Sequence, residues 1–280
     1  MHIHLKEFSG TEPLISQTLE LFRSLFPIPG KTQQAPAQPV PMPGKTQQAP
    51  AQPVPRLGKN DGVMLAGGRT PLEIYRRAAA EGLSTDATLF LSDERYVPAS
   101  DPQSNYGTIS PFFNVGQASC LSAHALLQTT ADRREALSHF IKIKTELPLE
   151  EAAQAFHNDL SQLERIPLGL LGLGTDGHTA SLFNLKDAAL RDERLAIPVR
   201  QCKASIPLAQ NERDAHSTFI NQRISVTPTL LNRIERIIIL ATGAEKKEMI
   251  QTLLNHPESI PAGVALADHP RVEVWTDQNI

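Results

Sequence analysis

The sequence predicts an α/β protein built on a mostly parallel sheet with helices on both faces. Short, nearly continuous apolar runs end in glycine or charged residues, and they occupy 62–68, 87–95, 166–174 and 236–243. Segments with helical periodicity lie between these runs, at 71–82 and 149–164. Strands that are apolar along their whole length are typical of parallel sheets covered on both faces. In open sheets of this kind the ligand crevice forms beyond the carboxyl ends of the strands, so we expect functional side chains there.

The composition excludes several classes of protein. The chain has 280 residues with 40% hydrophobic content, enough for a sizeable core, and a formal net charge of -3 without a long run of like charge. We therefore expect no nucleic-acid or membrane partner, since either favours a clustered basic field. The first residues, MHIHLKEFSGTEPL, lack the pattern of a signal peptide, so we expect a cytoplasmic protein. Cys120 and Cys202 lack metal or redox spacing, so we expect reduced thiols and no metal.

A duplicated segment interrupts the alternating pattern. Residues 29–41 read PGKTQQAPAQPVP, and 43–55 repeat them after Met42. Proline, glutamine and alanine with almost no large apolar side chain cannot form a packed core. We predict a single domain over 1–280, interrupted by an extended insert at 29–56. Duplication by slippage is the simpler explanation of the repeat, and a docking site for a partner that binds proline-rich segments is the alternative.

A glycine turn follows the first apolar run. Gly67, Gly68, Arg69 and Thr70 lie between that predicted strand and a helix that we expect to begin at Pro71, a residue well suited to a first helical turn. Free backbone N–H groups at a helix start bind anions, and glycine allows an anion to come close. The segment therefore favours an anion site, although a purely structural turn fits the same residues.

Charged residues also lie next to two other predicted strands and at the start of a predicted helix. Asp93, Glu94 and Arg95 end the second apolar run, Arg223 lies beside a short strand in QRISVTP, and we expect Lys246 just inside a helix. We expect at least one charge of the first group, Asp93 included, to face the crevice. Guanidinium and ammonium groups in a cleft are what a phosphate ester requires. Solvated turns and surface salt bridges are the alternative interpretation.

The stretch GLGTDGHTASLF, 172–183, joins a predicted strand to three glycines, Asp176 and His178. Its glycines match G-x-G-x-x-G, and Asp192 lies 20 residues after the first, so a dinucleotide-binding fingerprint is formally present. We reject that fingerprint because Asp176 would place a carboxylate where a pyrophosphate binds. A neutral imidazole can accept a proton from water, and a neighbouring carboxylate can orient it. A structural turn histidine is the alternative.

These motifs together resemble a known family. GGRTP, DERYVP followed by SNYG, GLGTDGHTASLF, RISVTP and GAEK occur in the order and rough spacing of the 6-phosphogluconolactonase family. The resemblance covers the chain outside the duplicated segment, although Arg69 stands where the family often has serine. It implies a modified, Rossmann-like doubly wound fold, no cofactor or metal, and a monomer or weak homodimer. The implied activity is hydrolysis of a small sugar-phosphate lactone, 6-phospho-D-glucono-1,5-lactone, to 6-phosphogluconate in the pentose phosphate pathway.

The resemblance also implies roles for particular residues. His178 would be the general base that activates water, Asp176 would orient it, and Arg95 would stabilise the oxyanion or bind the phosphate. The remaining substrate-binding candidates are Gly67, Gly68, Arg69, Thr70, Asp93, Asn105, Arg223 and Lys246.

Two rivals share this type of sequence. In the related glucosamine-6-phosphate deaminases a glutamate that handles protons lies five positions after the histidine, and here that position is Phe183. A phenyl ring cannot relay a proton, so the lactonase is favoured. A non-catalytic sugar-phosphate sensor would usually carry a fused DNA-binding helix-turn-helix, whereas the extra segment here is the proline-rich insert.

Overall fold

The computed structural model describes residues 2–26, 57–113, 140–202 and 220–280, and the duplicated segment and Cys120 lie outside them. Six parallel strands of the described chain form a main sheet: β1 (Ile3–Glu7), β2 (Asp61–Leu65), β3 (Thr88–Leu91), β5 (Arg165–Gly172), β8 (Ile237–Ala241) and β9 (Val272–Thr276). Three antiparallel strands form a smaller sheet: β4 (Asp93–Arg95), β6 (Ala196–Cys202) and β7 (Ile220–Val226). The spatial orders are β1-β9-β8-β5-β2-β3 and β4-β7-β6.

Eight α-helices lie among the described residues: α1 (Thr11–Leu25), α2 (Arg69–Ala80), α3 (Asn105–Ile109), α4 (Leu149–Ser161), α5 (Leu185–Ala188), α6 (Pro228–Leu231), α7 (Lys247–Asn255) and α8 (Pro261–Ala265). Short 3-10 turns occupy Ser110–Phe112, Ala244–Lys246 and Pro257–Ser259. α2 begins two residues before the expected Pro71, because Gly68 adopts a φ of 108° and so turns the chain into the helix directly.

Apart from the edge strand β1, which is mostly exposed, the main sheet is buried on both faces, as its apolar strands predict. Ile238 and Leu240 of β8 pack with α1 and α2, while Ile237 and Ile239 pack on the opposite face with α4 and α7. Phe22 of α1 is fully buried on the first face. Burial of one side chain of this size contributes roughly 1.5–3 kcal/mol. The predicted α/β architecture with helices on both faces is confirmed.

The apolar run 87–95 does not form one strand. β3 ends at Leu91, and Ser92 connects it to β4 in the other sheet. The backbone N–H of Ser92 donates to Leu65 in the main sheet (2.9 Å), and its carbonyl accepts from Val226 in the smaller sheet (2.9 Å). The chain therefore passes from one sheet to the other within a single residue, and Asp93 and Arg95 belong to the smaller sheet.

The order of the strands creates a switch point between β2 and β5. From β2 the chain moves outward to β3, and it then returns past β2 and proceeds through β5, β8 and β9 in the opposite direction. In doubly wound sheets the loops that leave the strands on either side of such a point diverge and leave a crevice. The glycine turn after β2 and the histidine stretch after β5 lie at this position.

Candidate active site

Two turns at the carboxyl edge of the main sheet are tied together across the end of β5. The turn after β2 carries Thr70, and the turn after β8 carries Thr242. Their hydroxyl oxygens lie 2.6 Å apart in a hydrogen bond that either can donate. β2 and β8 are the two neighbours of β5 in the sheet, so this contact fixes the two turns on either side of the histidine stretch.

His178 and Asp176 form a hydrogen-bonded pair beyond the end of β5. Nδ1 of His178 bonds Oδ1 of Asp176, and the same oxygen accepts the backbone N–H of His178 at 3.3 Å. Partial burial tends to raise the pKa of Asp176, but the hydrogen bonds and charge of His178 outweigh it and leave that pKa below its usual value. With Nδ1 donating to the carboxylate, the lone pair of the ring resides on Nε2 and is free to accept a proton.

The glycines around this pair have steric rather than ligand-binding explanations. A Cβ on Gly174 would lie 2.1 Å from Nδ1 of His178, so a side chain there would displace the ring. Gly177 has a φ of 80°, and its backbone packs against Ile260. The loop closes through the Gly174 N–H, which donates to the His178 carbonyl at 2.8 Å. These contacts account for two of the three glycines without a dinucleotide.

The smaller sheet places two arginines side by side. Arg95 of β4 lies directly opposite Arg223 of β7 in the antiparallel register. The Nε atoms of both are buried and have no hydrogen-bond acceptor among the described residues. Burial lowers the pKa of Arg223, and the charge of Arg95 adds to that effect against the opposing charge of Asp93. Adjacent guanidinium groups with unsatisfied donors favour an anion between or beside them.

Phe183 connects the histidine to the arginines. Its ring centroid lies 4.6 Å from that of His178, and the guanidinium carbon of Arg223 lies 5.4 Å from the same ring. The second distance is within the range of a cation–π contact. The histidine, the phenyl ring and the guanidinium therefore form one continuous surface.

Asp93 is buried, which differs from the expectation that it faces the crevice. Its Oδ1 accepts the hydroxyl of Ser92 at 3.0 Å, its Oδ2 accepts the hydroxyl of Ser181 at 2.5 Å, and Oδ2 lies 3.6 Å from Nη1 of Arg223. Ser181 belongs to the loop that follows His178. Asp93 therefore links the loop that carries His178 to the smaller sheet. Both of its carboxylate oxygens already accept hydrogen bonds from protein groups.

Glu94 accepts four hydrogen bonds at this edge, and no specific role was predicted for it from the sequence. Its carboxylate accepts the backbone N–H groups of Arg95 (2.7 Å), Asn105 (2.8 Å) and Tyr106 (2.7 Å) and the hydroxyl of Ser104 (3.0 Å). Burial raises the pKa of Glu94, while these four donors act in the opposite direction. The serine that caps α3 ten residues later was the available signal, because an N-cap marks free N–H groups that a carboxylate can accept.

The other candidates lie on the two flanking turns and on α3. Asn105 donates its side-chain N–H to the carbonyl of Asp93 at 3.0 Å and packs against Gly67. Arg69 is an exposed residue of the first turn of α2. Lys246 ends the 3-10 turn before α7, rather than lying just inside that helix as expected. The side chains of Arg69 and Lys246 form no hydrogen bond or ion pair with another described residue.

Asp277 supports the turn that carries Lys246, and it too was missed from the sequence. It follows β9, the neighbour of β8 in the main sheet. Its Oδ1 accepts the N–H of Gly243 at 2.9 Å, and its Oδ2 accepts the hydroxyl of Thr11 at 2.5 Å. Gly243 itself has a φ of 97°. An acidic residue near the end of a chain carries no local signal of this contact, because the contact depends on the adjacency of β8 and β9.

Neither a metal cluster nor a membrane helix is found in the described part of the chain. No group of three or more histidine, cysteine, aspartate or glutamate side chains there is arranged to hold a metal ion. No described helix has the length and apolar character that a bilayer span requires.

The fold and this edge define a doubly wound α/β protein with a histidine–aspartate pair and clustered cations at the switch point of its sheet. Residues 56–275 match the family model described as glucosamine-6-phosphate isomerases/6-phosphogluconolactonase. The chain belongs to that family.

Individual relatives come from both branches of the family. The chain is 28% identical to a 6-phosphogluconolactonase of Thermotoga maritima over 194 residues, which cover 69% of this chain and 74% of the relative. It is 32% identical to a glucosamine-6-phosphate deaminase of Staphylococcus epidermidis over 153 residues, covering 51% and 60%. The crystal structure of a 6-phosphogluconolactonase from Shewanella baltica superposes with a TM-score of 0.65 at 20% identity, covering 98% and 97%, and this likeness supports the fold.

Proposed function

We propose that this protein hydrolyses 6-phospho-D-glucono-1,5-lactone to 6-phospho-D-gluconate, the lactone-opening step of the oxidative pentose phosphate pathway. The observation that carries the proposal is the contact between His178 and Phe183, whose ring centroids lie 4.6 Å apart. The histidine has an aspartate on Nδ1 and an apolar ring beside it. This arrangement supplies one proton acceptor and no second acid, which suits hydrolysis better than isomerisation.

His178 is the general base in this proposal. Its Nε2 takes a proton from a water molecule as the water oxygen attacks the lactone carbonyl carbon. The imidazolium then returns the proton to the ring oxygen as the acyl C–O bond breaks, so water is added across that bond. Asp176 holds the ring through Nδ1 and stabilises its charged form, a contribution from acid–base catalysis typically worth ~10²–10⁴-fold.

Arg95 stabilises the oxyanion that develops on the carbonyl. Its guanidinium is held by the carbonyl of Gln103, which accepts from Nη1 at 2.7 Å, and its buried Nε has no acceptor among the described residues. A fixed cation with an unsatisfied donor is suited to a charge that appears only in the transition state. The reaction needs no covalent intermediate.

The phosphate of the substrate binds at the two flanking turns, in this proposal. The backbone of Gly67, Gly68 and Thr70 at the start of α2 supplies N–H groups, and Arg69, Arg223 and Lys246 supply cations. Support comes from the 12-residue length of α2, since a helix of that length presents free N–H groups and a positive dipole end. Asn105 at the start of α3 and the buried Asp93 of the smaller sheet brace this region.

Deamination of glucosamine 6-phosphate is the competing activity, because a deaminase is among the relatives. Purified protein is assayed on freshly prepared 6-phosphogluconolactone, with spontaneous hydrolysis subtracted, and on glucosamine 6-phosphate with ammonia release as the readout. We expect accelerated acid release from the lactone and no ammonia. Ammonia release without lactone hydrolysis would overturn the proposal.

Asp176→Asn and Asp192→Asn form a matched pair for the same assay. Each aspartate bonds the side chain of the residue two positions later, His178 in one case and Arg194 in the other. Only Asp176→Asn should lower turnover, because the amide cannot stabilise an imidazolium as a carboxylate does. Equal losses in both variants would show that the local turn, rather than the dyad, matters.

A further inference from the structure

We propose that Glu94 is a positioning residue that holds Arg95 and Asn105 in place for the reaction. The inference rests on the proposed function for its kinetic readout. Glu94 touches neither the expected reacting atoms nor the phosphate turns, and it is buried with 1% of its surface exposed. It therefore acts through the residues that it binds.

Each carboxylate oxygen of Glu94 accepts two hydrogen bonds. Oε1 accepts the backbone N–H groups of Arg95 and Asn105, and Oε2 accepts the hydroxyl of Ser104 and the N–H of Tyr106. Three of these donors belong to the start of α3. That helix has only five residues, too few for stability of its own, so external contacts must fix its first turn.

Both ends of Arg95 are attached to the segment that Glu94 organises. Its backbone N–H is bound by Glu94, and its guanidinium donates to the carbonyl of Gln103, which directly precedes the capping Ser104. A shift of this segment would therefore move the guanidinium as well as the strand. Misplacement by about 1 Å of a group that positions reactants costs up to about 10²-fold in rate.

Asn105 transmits the same constraint to the phosphate side of the site. Its backbone is bound by Glu94, and its amide donates to the carbonyl of Asp93 at 3.0 Å. A Cβ on Gly67 would lie 2.5 Å from Oδ1 of Asn105, so the asparagine packs directly on the glycine turn. One buried carboxylate thus links the expected oxyanion group to the expected phosphate turn.

Glu94→Gln tests the proposal, with Glu273→Gln as its matched control. Whichever way the new amide turns at position 94, its NH₂ group faces two donors and leaves both without an acceptor. Glu273 is also buried, and its carboxylate accepts hydrogen bonds from the side chains of Arg236, Arg271 and Trp275. It lies near the amino end of β9, away from the candidate site. Both variants should lose stability, measured as a fall in Tm, because each disrupts a buried network.

Kinetics separates positioning from stability. We expect Glu94→Gln to lower kcat by about 10²-fold and to raise KM, with Glu273→Gln unchanged in both. In an Arg95→Ala, Asn105→Ala background, Glu94→Gln should add less than about threefold, because coupled residues are not additive. The proposal would be overturned if folded Glu94→Gln had the wild-type kcat and KM. It would also be overturned if Glu94→Gln lowered kcat by the same factor in the Arg95→Ala, Asn105→Ala background as in the wild type.

Two further measurements keep the proposal testable if Glu94→Gln does not fold or if the wild type lacks the proposed activity. If Glu94→Gln does not fold, Ser104→Ala removes one donor and should lower kcat about fivefold, as expected for a single hydrogen bond. Unchanged kinetics in that variant would overturn the proposal. If the wild type does not hydrolyse the lactone, calorimetric binding of 6-phosphogluconate replaces turnover. Affinity should then fall in Glu94→Gln and not in Glu273→Gln, and equal affinities would overturn the positioning role on its own.

Discussion

The main sheet contributes mostly loops to the candidate site, and the smaller sheet contributes charged side chains. The main parallel sheet contributes main chain: the glycine turn after β2, the loop that carries His178 after β5, and the turn at Gly243 after β8. The smaller antiparallel sheet contributes charged side chains, Arg95 and Arg223, which lie opposite each other in register. Parallel strands end at a common edge and so assemble loops, whereas antiparallel pairing places two chosen side chains in contact.

This difference separates two functions within one crevice. A loop at the end of a buried strand can hold a proton acceptor in a fixed position, but a single loop does not place two cations directly opposite each other. A two-stranded register can do so, because residues of β4 and β7 that are far apart in sequence become direct neighbours. We therefore expect the largest loss of turnover from a change at His178 and the largest loss of affinity for the phosphate from a change at Arg223.

The largest expected effect is on turnover, from His178→Asn. Asparagine has a similar reach and stays polar but cannot accept the proton of water, so kcat should fall by about 10²–10⁴-fold while folding survives. The measurement is kcat on the phosphorylated lactone with the spontaneous rate subtracted. His256→Asn, at an exposed histidine of the same chain, is the control. Near-normal turnover in His178→Asn would place the general base elsewhere.

Arg223→Ala should mainly change affinity. The loss of charge-assisted hydrogen bonds worth about 1.5–3 kcal/mol corresponds to a KM for the phosphorylated lactone roughly 10- to 150-fold higher. The KM for unphosphorylated gluconolactone should change little. Arg200→Ala on the adjacent β6, which removes an exposed ion pair with Glu150, should leave both values unchanged. Equal effects of Arg223→Ala on the two substrates would show that this arginine is structural, and the contrast between the sheets would fail.

Strands β2, β3, β5 and β8 of the main sheet could be predicted from local patterns, whereas β1, β9 and the pairing that forms the smaller sheet could not. The runs at 62–68, 166–174 and 236–243 correspond to β2, β5 and β8 because a buried parallel strand is apolar throughout. β4 consists of three charged residues, and it forms a strand only because it pairs with β7. The same applies within the site. Proximity in sequence indicated the His178 and Asp176 pair, whereas the roles of Glu94 and Asp277 depend on contacts across the fold.

A smaller effect is expected at the opposite, amino edge of the main sheet. His269 is fully buried, its Nε2 bonds the carbonyl of Ile234 at 2.7 Å, and its Nδ1 accepts the N–H of Arg271 at 3.1 Å. Burial lowers the pKa of His269 from its usual value, and the hydrogen bond to the Ile234 carbonyl acts in the opposite direction. The unfolded chain therefore binds the proton more readily, and stability is lost as pH falls from about 6.5 toward the folded pKa.

The measurement is the free energy of unfolding of the wild type and of His269→Gln between pH 7.5 and pH 5.5. The wild type should lose more stability over this range, with an extra slope no steeper than about 1.4 kcal/mol per pH unit for one proton. Activity per folded molecule at neutral pH should be the same in both, because the amino edge carries none of the candidate site. Parallel pH slopes for the two proteins would contradict the prediction.

The smallest effect is expected from the duplicated insert. Deleting one copy, 43–55, should leave kcat, KM and Tm nearly unchanged, because each doubling of a flexible loop costs only about 0.6 kcal/mol. Replacing the same residues with a glycine–serine segment of equal length is the matched control, since it keeps the length and changes only the composition. A large loss of activity in the deletion alone would mean that the length of the insert matters to the site.

The bare main chain beneath His178 has a consequence for how this protein can diverge. The ring rests on Gly174, whose missing side chain leaves the space that Nδ1 occupies, and the two residues are joined through the Gly174 N–H and the His178 carbonyl. The location of the ring thus depends on the backbone path of the loop together with the contacts of the ring to Asp176 and Phe183. A side chain at position 174 would push the ring away from both contacts, so this position is closed to every residue larger than glycine as long as the proton acceptor stays in place.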